Sequence, residues 1–408
     1  MPIDDKATEL ASDKPPIQGF WSVLLEYSVP LIAGVVLALV WANVSPQTYQ
    51  VFLHTELFLG IDFHFIINDV FMALFFGIAG TEIVRSVLPG GALHSVKTAA
   101  SPLMATAGGV LGPIVIFSIL NSLFGSPEYA RGWAIPTPTD IALAWFVARI
   151  VFGAGHPAVS FLLLLAVVDD AIGLVIIGVF YPNPLAPVKP VWLVLVLAGM
   201  ALAFILHKLR VRSFVPYIFG GGALAWLGLH NANLHPALAL IFIVPFLAYT
   251  PKNPNMQSSR RRVDTLTAFE GNEHKMLLDD FEDVFKHFVD FGLVTFGLSN
   301  AGVSFSDITN LTWIVFFSLV VGKTLGVFIF GNLSNLIGFS LPEGMRMREL
   351  FVTGLVAAMD LTVALFIAGE AFVDVGMQDA AKMGALFTVS SILVSIVVGR
   401  LLGVKLKS

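Results

Sequence analysis

Apolar stretches long enough to cross a lipid bilayer recur along almost the whole chain. A window of about 20 residues, the length that an α-helix needs to span the hydrocarbon core, finds about twelve of them. Of the 408 residues, 56% are hydrophobic and 12% are charged, against roughly 25% charged in soluble domains. Because a backbone in lipid must satisfy its own hydrogen bonds, runs of this length fold as helices. The sequence therefore predicts an all-α polytopic membrane protein with about twelve transmembrane helices.

The positions of lysine and arginine predict how these helices are oriented. If both termini are cytoplasmic, 19 of the 23 Lys and Arg residues lie inside, 3 lie outside, and Lys323 lies within a span. Such a bias marks the cytoplasmic side. The predicted organisation is a cytoplasmic tail 1–19, one transmembrane domain 20–404 with an external hairpin 48–66 and a cytoplasmic loop 251–279, and a cytoplasmic tail 405–408.

Composition also limits the chemistry. The chain has no cysteine, which excludes disulfides and thiolate metal sites. No basic patch points to nucleic acid, so the lipid bilayer is the expected surroundings. No cofactor is expected.

Two adjacent aspartates, Asp169 and Asp170, interrupt the apolar run 160–179. A charged side chain at the bilayer centre costs roughly 2.5–3.5 kcal/mol, so those that persist face a polar cavity and serve an ion or proton pathway. Neighbouring residues on a helix point about 100° apart, so each can have its own partner. The pair predicts a cation or proton transporter. A purely structural ion pair of Asp169 with Lys323 is the alternative.

A proline-rich string precedes a second acidic position. Pro136 and Pro138 each remove a backbone donor, which makes a continuous helix through Thr139 and Asp140 unfavourable. Broken helices at membrane depth occur where they line a cavity. The alternative is a loop that enters an ordinary helix with Thr139 or Asp140 as its N-cap.

A second, less similar string contains Asp360 and a following threonine. The segments 97–180 and 312–404 each hold three spans with the acidic string in the middle one, as in an inverted three-helix repeat with two discontinuous helices crossing at the midplane. At that crossing, helix ends that carry partial charges of the same sign would meet. Asp140 and Asp360 are candidate acids that compensate this charge, and Lys323 is the candidate base. Either acid could also take part in ion or proton binding.

Taken together, several strings resemble the NhaA-type Na⁺/H⁺ antiporter family of bacteria from about residue 20 to about residue 400. They are Ile67-Asn68-Asp69-Val-Phe-Met-Ala73, Gly80-Thr-Glu82-Ile-Val-Arg85, Gly132-Trp-Ala-Ile-Pro136-Thr-Pro-Thr139-Asp140-Ile-Ala142, Val168-Asp169-Asp170, Leu234-His235-Pro-Ala, Asn300-Ala-Gly-Val303, Gly322-Lys323-Thr-Leu-Gly326 and Leu341-Pro-Glu-Gly344. This family is itself an example of the repeat architecture with broken helices.

The resemblance assigns roles to individual positions. Asp170 matches the essential cation-binding carboxylate, Asp169 the carboxylate that pairs with Lys323, and Thr139 and Asp140 the unwound segment beside the site. Transported Na⁺ or Li⁺ would then be held by Asp170 and Asp169. The remaining matches are cytoplasm-side or flanking positions tied to pH response or structure: Asn68, Asp69, Glu82, Arg85 and His235.

The resemblance also implies a function and a location. It implies a secondary transporter, not an enzyme, that exchanges Na⁺ or Li⁺ for H⁺ by alternating access, moves net charge, responds to pH and serves pH homeostasis. The location implied is the bacterial inner membrane, as a homodimer joined through 48–66. Other residues remain open: Glu82 and Arg85 could be a structural pair, His235 a capping histidine, and Glu370 an interfacial acid.

The chain departs from the family pattern at two places. Asp360 stands in Ala358-Met359-Asp360-Leu361-Thr362, where the family has Gly-Ile-Gly-Phe-Thr. The histidines of a family Glu-His…His-Pro cluster do not line up with Glu282-Asp283-Val-Phe-Lys286-His287. These differences leave room for a non-exchanging relative, such as a leak or a sensor. An intramembrane aspartyl protease would need two aspartates on separate helices, one of them in Gly-x-Gly-Asp, and that string is absent from the sequence.

Overall fold

A computed structural model of the chain describes residues 29–58, 60–94, 96–183, 186–248 and 276–404. The predicted tails 1–19 and 405–408, and all but the last four residues of the predicted loop 251–279, lie outside this described part. Within it the chain is mainly helical, and its one sheet is a two-stranded hairpin.

Helices of very different lengths follow one another in the described part. Numbered in chain order, they are α1 Val29–Val44, α2 Pro46–His54, α3 Phe63–Val87, α4 Val96–Phe124, α5 Pro127–Ala134, α6 Ile141–Phe152, α7 Pro157–Phe180, α8 Pro190–Lys208, α9 Ala223–Asn231, α10 Pro236–Leu247, α11 Leu277–Asn300, α12 Asn310–Leu336, α13 Met347–Ala357, α14 Val363–Ala371 and α15 Val375–Leu401. The strands β1 Glu56–Phe58 and β2 Ile61–Asp62 lie between α2 and α3.

Six helices in the described ranges are long and apolar enough to cross a membrane, namely α3, α4, α7, α8, α12 and α15. Helices α1, α6 and α10 are apolar but shorter. Exposed Val, Leu, Ile and Phe side chains cover much of the outer surface of the bundle, as expected of a protein whose solvent is lipid. The predicted all-α polytopic fold is confirmed, whereas the twelve spans and the inverted repeat stay predictions.

The β-hairpin is shorter than the segment 48–66 that the sequence predicts as an external hairpin. Residues up to His54 form α2, strand pairing is confined to β1 and β2, and α3 already begins at Phe63. The reason lies in the spacing of buried side chains: Tyr49 and Leu53, four residues apart, are both buried, which is a helical period. Pro46 at the first turn fits a helix start.

Glycines let α4 and α12 approach closely. Gly108 and Gly112 face Gly322 and Gly326, and a Cβ added at Gly326 would collide with the carbonyl oxygen of Gly108. Small residues four apart are the usual means by which membrane helices bring their backbones together. This packing fixes the position of Lys323, which lies between the two glycines of α12.

Candidate ion-binding site

Two breaks in helical structure meet inside the bundle. The first comprises the residues between α5 and α6, which include Pro136 and Pro138, and the second the residues between α13 and α14. The backbone N–H of Asp140 in the first break donates to the carbonyl oxygen of Met359 in the second, at 2.9 Å. The two breaks are therefore in direct contact.

Asp140 and Asp360 occupy equivalent positions in the two breaks. Asp140 Oδ1 accepts from the N–H of Leu143 at 3.1 Å, and Asp360 Oδ1 accepts from the N–H of Val363 at 3.2 Å. Each carboxylate thus lies at the N-terminus of the helix that follows it, where the helix dipole favours negative charge. The second oxygen of each, Oδ2, is buried without a hydrogen-bond partner.

Lys323 supplies positive charge to this region. Its side chain is completely buried, and Nζ lies 2.5 Å from Asp169 Oδ2. Nζ also donates to the carbonyl oxygens of Pro138, at 2.5 Å, and of Thr137. Three acceptors match the three N–H donors of an ammonium group. Lys323 therefore joins α12 and α7 to the carbonyls that the first break leaves free.

Thr139 connects the same groups from another side. Its hydroxyl lies 2.8 Å from Asp169 Oδ2 and 2.9 Å from the carbonyl oxygen of Ala357, the last residue of α13. The side chain of Thr139, which belongs to the first break, thus contacts Asp169 and the end of α13.

Asp170 is the least satisfied group of the site. It is buried, and its Oδ1 has no hydrogen-bond partner. The acidic side chains that interact electrostatically with it are Asp169, Asp360, Glu82 and Asp140. A buried carboxylate that faces other carboxylates is stable only when it takes up a proton or a cation. The arrangement is suited to exchanging one for the other.

A cation at this site would be bound by oxygen atoms of several kinds, and not by a cluster of carboxylates and histidines alone. Among the described residues, no three His, Asp or Glu side chains are grouped as metal ligands. A cation held by Asp170 and Asp169 would complete its shell with hydroxyl, backbone carbonyl or water oxygens, which are the ligands that hard cations take.

The residues tied by resemblance to pH response or structure divide between the two ends of α3. Asn68 and Asp69 lie near its start, in a π-helical turn Ile66–Phe71, whereas Glu82 and Arg85 lie near its end. Asp69 and Arg85 are about 24 Å apart along the helix at 1.5 Å per residue. These positions therefore belong to two separate regions of the molecule, and their roles in pH response or structure stay predictions.

Asn68, Asp69 and His235 share a cavity. Asn68 accepts from Asn300 Nδ2 at 2.8 Å and donates to His64 Nε2 at 2.8 Å. His235 caps α10 by accepting from the N–H of Ala237 at 3.3 Å.

At the other end of α3, Arg85 reaches α11. Its guanidinium lies 2.7 Å from Asp279 Oδ1 and also contacts Glu282, which in turn pairs with Lys286 at 3.1 Å. The sequence suggested Glu82 as the partner of Arg85. It held no signal for a partner 194 residues away.

Two charged residues had a different environment from the one the sequence suggested. Lys382, placed outside by the charge count, is 8% exposed in α15, so Lys323 is not the only buried lysine. Glu370 approaches His235 at 3.3 Å. In the sequence, the only indication of a polar partner for Glu370 was its position late in an apolar helix.

Comparison with known proteins identifies the family of the chain. The sequence profile of the family described as Na⁺/H⁺ antiporter 1 matches residues 24–403. The Na(+)/H(+) antiporter NhaA of Desulfitobacterium hafniense is 55% identical over 383 residues, covering 94% of this chain and 96% of that protein. That of Geobacter sulfurreducens is 54% identical over 385 residues, covering 94% and 98%. That of Jannaschia sp. is 40% identical over 422 residues, covering 93% and 97%. The profile match and these identities show that the chain belongs to the Na⁺/H⁺ antiporter 1 family.

Proposed function

We propose that this protein exchanges Na⁺ for H⁺ across a membrane by alternating access. The observation that carries the proposal is Asp170, which is buried with an unpartnered oxygen among other carboxylates. The relatives named above are antiporters by name, and the chain covers nearly their whole length.

The mechanism follows from competition at one site. Asp170 and its neighbours cannot hold a proton and Na⁺ at the same oxygens, so the arrival of one displaces the other. The carboxylates interact, and they therefore titrate as a set. Lys323 compensates Asp169 and keeps the carbonyls of Thr137 and Pro138 in place. Movement of the two contacting breaks against the remaining helices would expose the site to one side at a time.

Finer features of the proposal rest on the resemblance and the charge count. They are acceptance of Li⁺, transport of net charge, regulation by pH, an inner-membrane location with cytoplasmic termini, and a homodimer through the segment 48–66. The short hairpin of β1 and β2 in that segment offers free strand edges, which are the groups that pair between copies.

A leak or sensor is the alternative that Asp360 leaves open, and the names of the relatives do not favour it. An added carboxylate at the second break increases the negative charge that Lys323 must balance. A leak would pass protons with no dependence on added Na⁺, so the two functions give different results in one assay.

The test is proton movement in proteoliposomes that carry a pH gradient, with Na⁺ or Li⁺ added from about pH 6 to about pH 9. Exchange predicts collapse of the gradient by the native protein and none by Asp170→Asn. The matched control is Glu128→Gln, which removes an exposed carboxylate and should leave exchange intact. Loss of the gradient without Na⁺, or equal exchange by Asp170→Asn, would overturn the proposal.

A further inference from the structure

Two buried carboxylate oxygens at the contact between the helix breaks have no partner. They are Asp140 Oδ2 and Asp360 Oδ2, and neither accepts a hydrogen bond. The two residues are only 4% and 0% exposed, so bulk water does not satisfy these oxygens. A buried charge without a partner is unstable unless a positive ion joins it. The two free oxygens therefore indicate a ligand at this contact.

A backbone hydrogen bond brings the two carboxylates close together. The N–H of Asp140 donates to the carbonyl oxygen of Met359 at 2.9 Å, and Met359 directly precedes Asp360. With standard bond lengths, the α-carbons of Asp140 and Asp360 are then at most about 8.4 Å apart. Asp140 is also the charged group that acts most strongly on Asp360. The two side chains are therefore neighbours, and one ion can contact both.

The charges around this pair do not balance without a further positive charge. The ionised pair carries two negative charges, and the starts of α6 and α14 each contribute about half a positive unit. The ends of α5 and α13 that enter the same breaks are C-terminal, and their partial charge is negative. At least about one negative unit therefore remains. With Asp360 removed, the charges of Asp140 and the two helix starts would cancel, so Asp360 creates the surplus.

Lys323 does not supply the missing charge. It acts electrostatically on Asp360, but its N–H donors go to Asp169 Oδ2 and to the carbonyl oxygens of Thr137 and Pro138. An ammonium group has three N–H donors, so none is left for a second carboxylate. The free oxygens of Asp360 and its neighbour therefore need a separate positive ion.

The groups around the pair suit a small monovalent cation. The hydroxyl of Thr362 interacts with Asp140, and the carbonyl oxygen of Met359 lies beside both carboxylates. Oxygen atoms of these kinds are the ligands that hard cations take. No third Asp, Glu or His among the described residues joins the pair in a group that could hold a metal ion. A singly charged cation matches the surplus of about one unit, whereas a divalent cation would exceed it.

We propose that Asp140 and Asp360 bind one Na⁺ or Li⁺ ion through their free oxygens, at the contact between the two breaks. This ion is additional to the exchanged ion at Asp170 in the proposed function. The two positions are neighbours, since only Asp169 acts on Asp170 more strongly than Asp360 does. The bound cation joins the starts of α6 and α14 and reduces the repulsion between their carboxylates. Because binding needs no transport, it can be tested independently of exchange.

The first experiment measures Na⁺ binding to the purified protein by equilibrium dialysis with radioactive Na⁺. Asp360→Asn removes the charge but keeps an oxygen that can accept from the Val363 N–H. The native protein should bind about twice as much Na⁺ at saturation as Asp360→Asn or Asp170→Asn, and the double variant should bind almost none. Glu128→Gln, which removes an exposed carboxylate, is the matched control and should bind as much as the native protein.

The outcomes separate this proposal from the proposed function. Equal saturation binding by the native protein and Asp360→Asn would overturn the cation at the two breaks. Binding that depends on Asp360 and not on Asp170 would support that cation and count against exchange through Asp170.

A second experiment uses thermal unfolding, since a cation that binds the folded state raises Tm. In an Asp170→Asn background, replacing choline by Na⁺ at constant ionic strength should raise Tm, and adding Asp360→Asn should abolish the rise. Asp374→Asn, at the exposed start of α15, is the matched control and should leave the rise intact. If a proton compensates the pair in place of a cation, Na⁺ will not raise the Tm of Asp170→Asn, and the proposal is wrong.

Discussion

Replacement of Lys323 by methionine tests whether its ion pair with Asp169 stabilises the fold. Methionine keeps an unbranched apolar side chain in a position that is completely buried, and it removes only the ammonium group. Asp169 Oδ2 and the carbonyls of Thr137 and Pro138 would lose their donor. Thr139 would remain 2.8 Å from Asp169, so the carboxylate would keep one hydrogen bond but no positive charge beside it.

The expected loss is large because one charge would be left buried without its partner. Removal of one member of a buried ion pair costs about 3–5 kcal/mol, and the retained Thr139 contact favours the lower end. An unfolding entropy of roughly 2.1 cal/mol/K per residue gives about 0.9 kcal/mol/K for a chain of 408 residues, so Tm should fall by about 3 to 6 °C.

The assay is thermal unfolding of the purified protein in detergent, with Asp169→Asn and the double variant Lys323→Met/Asp169→Asn measured beside it. Both single variants should unfold at lower temperature than the native protein. The double variant leaves no unpaired charge, and its loss should be smaller than the sum of the two single losses. A native Tm for Lys323→Met, or strictly additive losses, would refute the reasoning.

Three further predictions concern the helix starts. Asp360→Gly should retain Na⁺/H⁺ exchange, since Thr362 remains as the N-cap of α14 and the change removes only the side-chain acceptor for the Val363 N–H. It should move the pH profile of exchange because a buried carboxylate beside the site is lost; an unchanged profile from proteoliposome assays would contradict this. Asp140→Ala removes the acceptor for Leu143 N–H and should cost about 1 kcal/mol, visible as a lower Tm, whereas Asp374→Ala at the exposed start of α15 should cost less. At the hairpin, partial burial acts to raise the pKa of Asp62, but the Phe65 N–H and His54 outweigh it and the pKa lies below its ordinary value. The charged form is therefore favoured by folding, so the stability difference between native protein and Asp62→Ala should be present at neutral pH and vanish in acid as pH falls through that lowered pKa; a difference that persists in acid would show that the charge is not responsible.

The sequence was most informative where polar residues interrupt apolar runs. Asp169, Asp170 and Lys323 were selected because each is costly in a membrane, and the structure places the first and last of them in contact. Pro136 and Pro138 predicted the first break because they cannot continue a helix. These signals are local, since each depends on one residue and its immediate neighbours.

Other contacts join residues that are far apart in the sequence, and no local sequence pattern predicts them. The partners of Arg85 lie on α11, and hydrophobic periodicity carries no information about which helices are neighbours. Three π-helical turns in the described residues, Ile66–Phe71, Tyr217–Gly222 and Ser318–Lys323, also change the direction of the side chains that follow. A π turn inserts one residue into a helix, and nothing in the composition of these segments marks it. Lys323 ends one such turn, so its orientation could not be read from an ideal helical period.

The contact between the two breaks explains why neither is stable alone. Each break exposes backbone groups that have no partner in their own helix, and a buried unpartnered group costs about 1–3 kcal/mol. The first break gives an N–H from Asp140 to the carbonyl of Met359 in the second, and the Thr139 hydroxyl reaches the carbonyl of Ala357. Lys323 takes the carbonyls that remain at Thr137 and Pro138. Because the same few bonds satisfy both breaks and hold Asp169, any movement that exposes Asp170 to the other side must carry the two breaks together.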